Sequence, residues 1–282
     1  MSSEVVISHR QVEAMLQGQR ETRASVRTSI DLGLTTAEVH LNPEGVSFPG
    51  GERLDWNSLE EVHRSENACF RVVSGSAIKI RTFSEWTNRF YGLMPTSAAP
   101  TLLISGIPMH RIKDTDPYRD TLSKIRAIAP ITGRVLDSAT GLGYTAIEAA
   151  KTASLVITIE LDPAVLEIAR LNPWSQGLFH NRTIQQLVGD STEEVMEFGT
   201  ESFSRIIHDP PMLSLAGQMY SLAFYRQAFR ILKPGGRLFH YIGNPQSKSG
   251  AITTKGVVRR LKEAGFRRIR SRPRAFGVVA CK

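Results

Sequence analysis

The sequence predicts an α/β protein in two parts. Residues 1–122 form a small β-rich domain, and residues 123–282 form a doubly wound, largely parallel sheet with helices on both faces. Three observations predict this. Before about residue 122, short stretches alternate apolar and polar side chains between turn signals. After it, short apolar runs alternate with helix-period segments, and strands separated by helices pair in parallel. The charge divides as well. The 282 residues carry 35 Lys+Arg against 27 Asp+Glu, but from Asn244 onward there are 11 basic residues and one acid, Glu263. The first 243 residues have a net charge of −2, so the positive excess belongs to the tail.

The elements follow in order. Ser8 caps a helix running to Leu16. Ser25–Ile30 and Ala37–Leu41 alternate as strands, and Asn42-Pro-Glu-Gly45 is a hairpin turn into Val46 and Phe48. Leu54–Val62 holds a short helix capped by Asp55 or Asn57. Phe70–Val73, Ala77–Ile80 and Phe90-Tyr91 continue the strands, with a turn at Ser74-Gly75-Ser76. Thr101–Arg111 is a strand running into a loop. Asp116 then caps a helix with Pro117 in its first turn. In the second part, strands are expected at Gly133–Asp137, Leu155–Ile159, Thr183–Val188, Phe203–Ile207, Arg237–Ile242, Arg268-Ile269 and Phe276–Ala280. Helices are expected at Tyr144–Lys151, Pro163–Leu171, Met219–Leu232 (closed by Lys233-Pro-Gly-Gly236) and Thr253–Ala264.

Several function classes are disfavoured at once. No apolar run approaches the ~18 residues that cross a bilayer, and the N-terminus lacks a basic-then-apolar secretion layout. Two cysteines, Cys69 and Cys281, build neither a disulfide framework nor a thiolate cage. None of the seven histidines is spaced with Cys or acids as a metal site, so no metal is expected. These features point to a cytoplasmic protein.

The sharpest motif is Val135-Leu-Asp-Ser-Ala-Thr-Gly-Leu-Gly143 at a strand-to-helix turn. Gly141 and Gly143 remove Cβ where the chain turns tightly and a ligand can approach the backbone. No lysine follows them, so this is not a phosphate-binding P-loop. Acids then end four successive strands: Asp137, Glu160, Asp190 and Asp209. An acid at the end of the second strand suits two ribose hydroxyls. Four carboxylates at strand ends converge on one crevice.

On these residues the chain resembles class I S-adenosylmethionine-dependent methyltransferases, which have a Rossmann-like sheet. The likeness runs over residues 133–282 and includes Gly189-Asp190, Asp209-Pro210-Pro211 and Leu232-Lys-Pro-Gly-Gly236. It implies S-adenosylmethionine as cofactor. The loop Ala139-Thr140-Gly141-Leu142-Gly143-Tyr144 would wrap its methionine part, with Asp137 beneath. Glu160, followed by Leu161, would hold the ribose, and Asp190-Ser191 the adenine. Ala139 stands where the family commonly has glycine. The whole layout is similar to spermidine synthase relatives, and Ser105–Arg111 with His208–Pro211 resembles a group of archaeal methyltransferases. Aminopropyl-transferring relatives carry a Gly-Gly-Gly-Asp-Gly-type loop that is absent here, which favours methyl transfer.

The resemblance to amino methyltransferases implies an amino acceptor at Asp209-Pro210-Pro211. The prolines remove N–H donors, leaving carbonyls and a carboxylate with few competing donors. Met212 replaces the aromatic found there. His208 is a candidate proton acceptor. Met109, His110, Tyr220 and Tyr241 are candidates for the substrate side, and Tyr225 is a weaker one. The acceptor, a small amine or RNA, stays undecided, and a homodimer is open. Two rival readings remain: a polyamine-type aminopropyltransferase, and an RNA-binding module without catalysis that uses the basic tail.

Overall fold

The computed structural model describes residues 4–282. The chain divides into two compact units: residues up to Tyr118 together with Ala164–Gln176, and Arg119–Pro163 together with Gly177–Lys282.

The first unit contains three small antiparallel sheets. One has the order β1 (Val5–Ile7), β6 (Phe70–Val73), β7 (Ser76–Lys79). The second is β2 (Ser25–Thr28), β3 (Ala37–Asn42), β4 (Gly45–Ser47), β5 (Arg53–Asp55). The third has the order β11 (Ile107–Pro108), β10 (Thr101–Ile104), β9 (Arg89–Met94), β8 (Arg81–Ser84). Helix α1 (His9–Arg20) begins with a capping box between Ser8 and Gln11, and α2 (Trp56–Arg64) is capped by Asp55. Their apolar faces, with Val12, Met15, Leu59 and Val62, share a core with Val5, Ile7, Val39, Leu54 and Val72.

Two details differ from the expected pattern here. Thr101–Arg111 is a hairpin and not a strand entering a loop: it turns at Ser105-Gly106, both at positive φ, and Leu103 pairs with Pro108. Strand β8 carries no apolar alternation of the usual kind, because it exposes Arg81 and Phe83 on one face.

The second unit is built on a seven-stranded sheet. Its order is β14 (Ile184–Val188), β13 (Leu155–Glu160), β12 (Arg134–Asp137), β15 (Phe203–His208), β16 (Leu232–Tyr241), β18 (Gly277–Cys281), β17 (Arg267–Arg272). The first five run parallel, and the last two pair antiparallel. The helices are α3 (Pro117–Ile128), α4 (Tyr144–Ala150), α6 (Gln176–Phe179), α7 (Ser191–Glu197), α8 (Leu222–Ile231) and α9 (Lys248–Glu263), while α5 (Pro163–Arg170) belongs from Ala164 onward to the first unit. The middle strands are near-continuous apolar runs, as strands covered on both faces must be. Leu136, Ile157, Ile159, Ile206 and Leu238 pack with Phe224, Tyr225, Ala228, Val257 and Leu261 in one core.

Three boundaries move. Ser221 accepts a bond from Phe224 N, so α8 starts at Leu222 and a short 3₁₀ turn, Gly217–Tyr220, precedes it. Leu232 pairs with Phe203, so Lys233-Pro-Gly-Gly lies within β16 at a register shift and not after a longer helix. Ser247 caps α9 five residues before the expected start. At the sheet margin, β17 pairs among the described residues with β18 alone and exposes Arg267, Arg268 and Arg270. Arg268 takes φ 50° where the register slips.

Register decides what meets at the sheet's carboxyl edge. Asp137 lies opposite Thr158 on β13 and Ile207 on β15. Glu160 lies opposite Val188, and His208 opposite His240. Glu160, Gly189-Asp190 and Asp209 therefore all emerge within two residues of the same line.

Candidate functional site

The glycine loop leaves β12 at Asp137 and enters α4 at Tyr144. Its backbone is pinned to neighbouring strands: Ser138 N bonds Ile207 O at 3.0 Å and Thr140 N bonds Ile159 O at 2.9 Å. Gly141 (φ 52°) and Gly143 (φ 76°) are left-handed, which costs other residues about 1–2 kcal/mol. The two glycines have different surroundings. A Cβ on Gly143 would strike Leu178 Cδ2 at 2.8 Å, whereas one on Gly141 would meet nothing within 4 Å. Gly141 borders open space.

Asp137 is fully buried at the foot of this loop. Its Oδ2 accepts bonds from the Thr145 hydroxyl at 2.9 Å and the Thr158 hydroxyl at 3.2 Å. Its Oδ1 is buried without a hydrogen-bond partner. Burial, with the nearby Asp209 charge adding to it, pushes this carboxyl up to about 8 against the two hydroxyl bonds and Lys124. A buried lone oxygen of this kind is costly, and a cationic or N–H ligand group would satisfy it.

Glu160 is half-buried at the end of β13. Its two oxygens accept from Gly141 N at 2.8 Å and Asp162 N at 3.2 Å. Desolvation pushes it up to about 7, with the backbone bonds opposing. Each oxygen keeps a second lone pair, so the carboxylate both holds the loop and can accept from a diol. Leu161 beside it is exposed. Ala139 is half-buried, and Thr140, buried, bonds Thr158 at 2.7 Å.

The proposed adenine residues are occupied by the protein itself. Asp190 Oδ1 accepts from both the N–H and the hydroxyl of Thr192, at 2.7 Å each, as the cap of α7. The Ser191 hydroxyl is buried and donates to Ser138 O at 2.6 Å. They shape the crevice wall, and Asp190 keeps one carboxylate oxygen outside the cap.

Asp209 departs from the expected surroundings. The sequence suggests a carboxylate with few competing donors, yet buried Lys124 on α3 donates to its Oδ2 at 2.6 Å. Lys124 lies 2.8 Å from Asp120 Oδ2 and 4.5 Å above the Tyr241 ring centroid. Burial opposes the ammonium charge, but Asp209 and Asp120 together hold its pKa above the ordinary lysine value. Asp209 itself is raised by burial, since one ammonium serves two carboxylates. Its Oδ1 has no hydrogen-bond partner among the described residues, and the side chain keeps 18% of its surface exposed.

His208 and its neighbours form a packed cluster. His208 is fully buried; Nε2–H donates to Met219 O at 3.0 Å, and Nδ1 then accepts from the Ser138 hydroxyl at 2.6 Å. The ring stacks on Phe224 at 4.5 Å, and burial lowers its pKa to about 3. A ring with both nitrogens engaged and no solvent contact is a neutral core histidine, which differs from the proton-accepting role suggested by its position. Pro210 is buried, and Pro211 O accepts from the buried Tyr220 hydroxyl at 3.0 Å, so Tyr220 braces the loop. Tyr225 bonds His240 Nε2 at 2.8 Å inside the core.

Tyr144 is buried at the start of α4. Met109 and His110 follow β11 in the first unit, where His110 Nδ1 lies 3.0 Å from the Thr101 hydroxyl. Lys124 has no counterpart in the sequence expectations for the site, and Asp120, which the sequence offers with Asp114 and Asp116 as an acid for a polyamine substrate, is instead buried against it. Their signal was the spacing: both fall on the buried stripe of α3 with Thr121 and Ile128. Among the described residues no group of acids, histidines or cysteines forms a metal site, and no helix is long and apolar enough to cross a membrane.

Residues 135–236 match the methyltransferase domain family. An uncharacterized protein of Methanocaldococcus jannaschii is 45% identical over 237 residues, covering 83% of this chain and 80% of its own length. A polyamine aminopropyltransferase of Mycobacterium tuberculosis is 29% identical over 160 residues, which span 54% of this chain and 30% of that protein. The crystal structure of spermidine synthase from Thermotoga maritima superposes with a TM-score of 0.57 at 19% identity, over 74% of this chain and 75% of its own. That likeness is one of fold.

Proposed function

We propose that this chain, which belongs to the family of the Methanocaldococcus jannaschii protein and carries a class I methyltransferase domain, transfers a methyl group from S-adenosylmethionine to an amino nitrogen. The observation that carries the reading is Asp137 Oδ1, buried and unsatisfied beneath a left-handed glycine that opens on empty space. This is the setting a ligand ammonium would complete.

When bound, the cofactor supplies an activated methyl group on its sulfonium. The chain's own residues do the rest. Asp137 takes the ammonium, Glu160 accepts from the ribose hydroxyls, and Leu161 with the Asp190–Ser191 turn walls the adenine side. Asp209 Oδ1 accepts an N–H of the acceptor, aims its lone pair and takes up the proton released on transfer. Lys124 pins Oδ2, so one carboxylate oxygen is fixed and the other is presented. Such positioning is worth up to ~7–11 kcal/mol in a displacement of this type.

Aminopropyl transfer is the second reading, favoured by the similarity to polyamine aminopropyltransferases. Leu142 weighs against it: it is fully buried and apolar where the loop of aminopropyl-transferring relatives has its acid. Calorimetry with S-adenosylmethionine beside its decarboxylated form separates the two. Tighter binding of S-adenosylmethionine, with S-adenosylhomocysteine formed in labelled-methyl assays on cell extract, is expected. Preference for the decarboxylated form with an aminopropylated product would establish the second reading instead.

A further inference from the structure

The first unit carries an exposed aromatic surface of its own. In the third sheet, Arg81 and Phe83 on β8 lie opposite Gly92 and Phe90 on β9, and Leu103 on β10 continues the same face. The opposite face buries Tyr91, Leu93, Leu102 and Ile104, so this one looks outward. Phe83 is 44% exposed and Phe90 61%, and their rings lie 4.7 Å apart. Trp86, in the turn joining the two strands, is 63% exposed. Exposed apolar side chains grouped in one patch mark an interaction site where scattered single ones do not.

Beside the rings is a cavity of about 380 Å³, with Phe90 in its wall. Arg64, Lys79 and Arg81 line it, and among the described residues none of the three has a carboxylate within ion-pair distance. Glu66 and Asn67 line it too. Two exposed rings, tilted 48° to one another, beside cations without a carboxylate partner match two features of an unpaired nucleotide chain: bases that stack and phosphates that need neutralising. Acceptors among the cations suit ribose hydroxyls, which DNA lacks. A second copy of this chain is a poorer occupant, because it would bring three more cations to the contact with one acid of the cavity lining, Glu66, to meet them.

We propose that this face of the β8–β9–β10 sheet is a stacking platform for single-stranded RNA, with Phe83 and Phe90 as base supports and Arg64, Lys79 and Arg81 as phosphate contacts. It is tested on the full chain without cofactor, by fluorescence anisotropy of a labelled 12-nucleotide RNA of mixed sequence. Failure here leaves the transfer reading intact, and loss of transfer leaves this one intact. Saturable binding is expected, weakened about tenfold by Phe83→Leu and again by Phe90→Leu. Three phosphate contacts imply a log–log salt slope of about −2. Circular dichroism of each variant checks folding, and Arg81→Glu at an exposed position gives a second route to the same loss. The proposal is overturned by absence of saturable binding, by full affinity in the Phe83→Leu/Phe90→Leu variant, or by equal binding of the DNA sequence or the RNA duplex. A variant that shifts from dimer to monomer while still binding RNA would also overturn it.

Discussion

The carboxyl edge of the parallel sheet has two halves that use similar residues differently. At the ends of β12 and β13, Asp137 keeps one oxygen unpartnered and Glu160 keeps spare lone pairs beside an open glycine. At the ends of β15 and β16, His208 and His240 are closed in by Phe224, Tyr225 and Tyr220, and His208 has both nitrogens engaged. Titratable side chains at strand ends are thus common to both halves. What separates them is the space beside the bonding capacity left over after folding: Asp137 Oδ1 sits at the foot of a loop whose Gly141 opens on empty space, whereas His240 Nδ1, also without a partner, is enclosed by rings. Asp209, one residue beyond His208, stands at the junction, with one oxygen fixed by Lys124 and the other free.

The contrast breaks most sharply at that junction. Asp209→Asn should lower labelled-methyl transfer by about 10²–10⁴ while calorimetry still shows cofactor binding. Full turnover would move the catalytic role elsewhere. Lys124→Met leaves Asp120 and Asp209 without their shared cation and should cost about 3–5 kcal/mol in urea unfolding; Asp120→Asn in the same background should recover part of it. Glu160→Ala should weaken S-adenosylmethionine by about 1.5–3 kcal/mol, and unchanged affinity would remove Glu160 from the ribose.

A pH measurement sharpens the same comparison. Asp137 titrates at about 8 when folded and near ~3.9 when unfolded, so the folded state holds the extra proton in between. The contribution of Asp137 to the stability of the cofactor-free protein should fall as pH rises through that window, by at most about 1.4 kcal/mol per unit. From about pH 6.5 to 8, His208, held neutral down to about 3, adds nothing, and Asp137→Asn should flatten part of the slope, the rest coming from Glu160 near 7 and from Asp209, which burial also raises. Gly141→Ala should cost the fold only about 1 kcal/mol, because its Cβ meets nothing and only the backbone angle is strained.

The sequence made most of this architecture legible where a local rule decides it. The glycine loop, the acids at strand ends and the caps at Ser8, Asp55 and Asp116 all follow from residue type and spacing. The Lys124 triad was not legible, because an Asp and a Lys four residues apart on a helix usually form a surface pair. Only Asp209, 85 positions later, turns them into a buried one. His208 misleads for the converse reason: its neighbours Ser138, Met219 and Phe224 come from three separate segments, and no local pattern announces that they consume it.

The margin of the large sheet bears on the tail's excess charge. Any foreign strand seeking to lengthen the sheet at β17 would have to shed the hydration of Arg267, Arg268 and Arg270 and match a backbone kinked at Arg268. Those guanidinium groups therefore act as a guard against fibre-like growth from one molecule to the next, a duty that requires no polyanion.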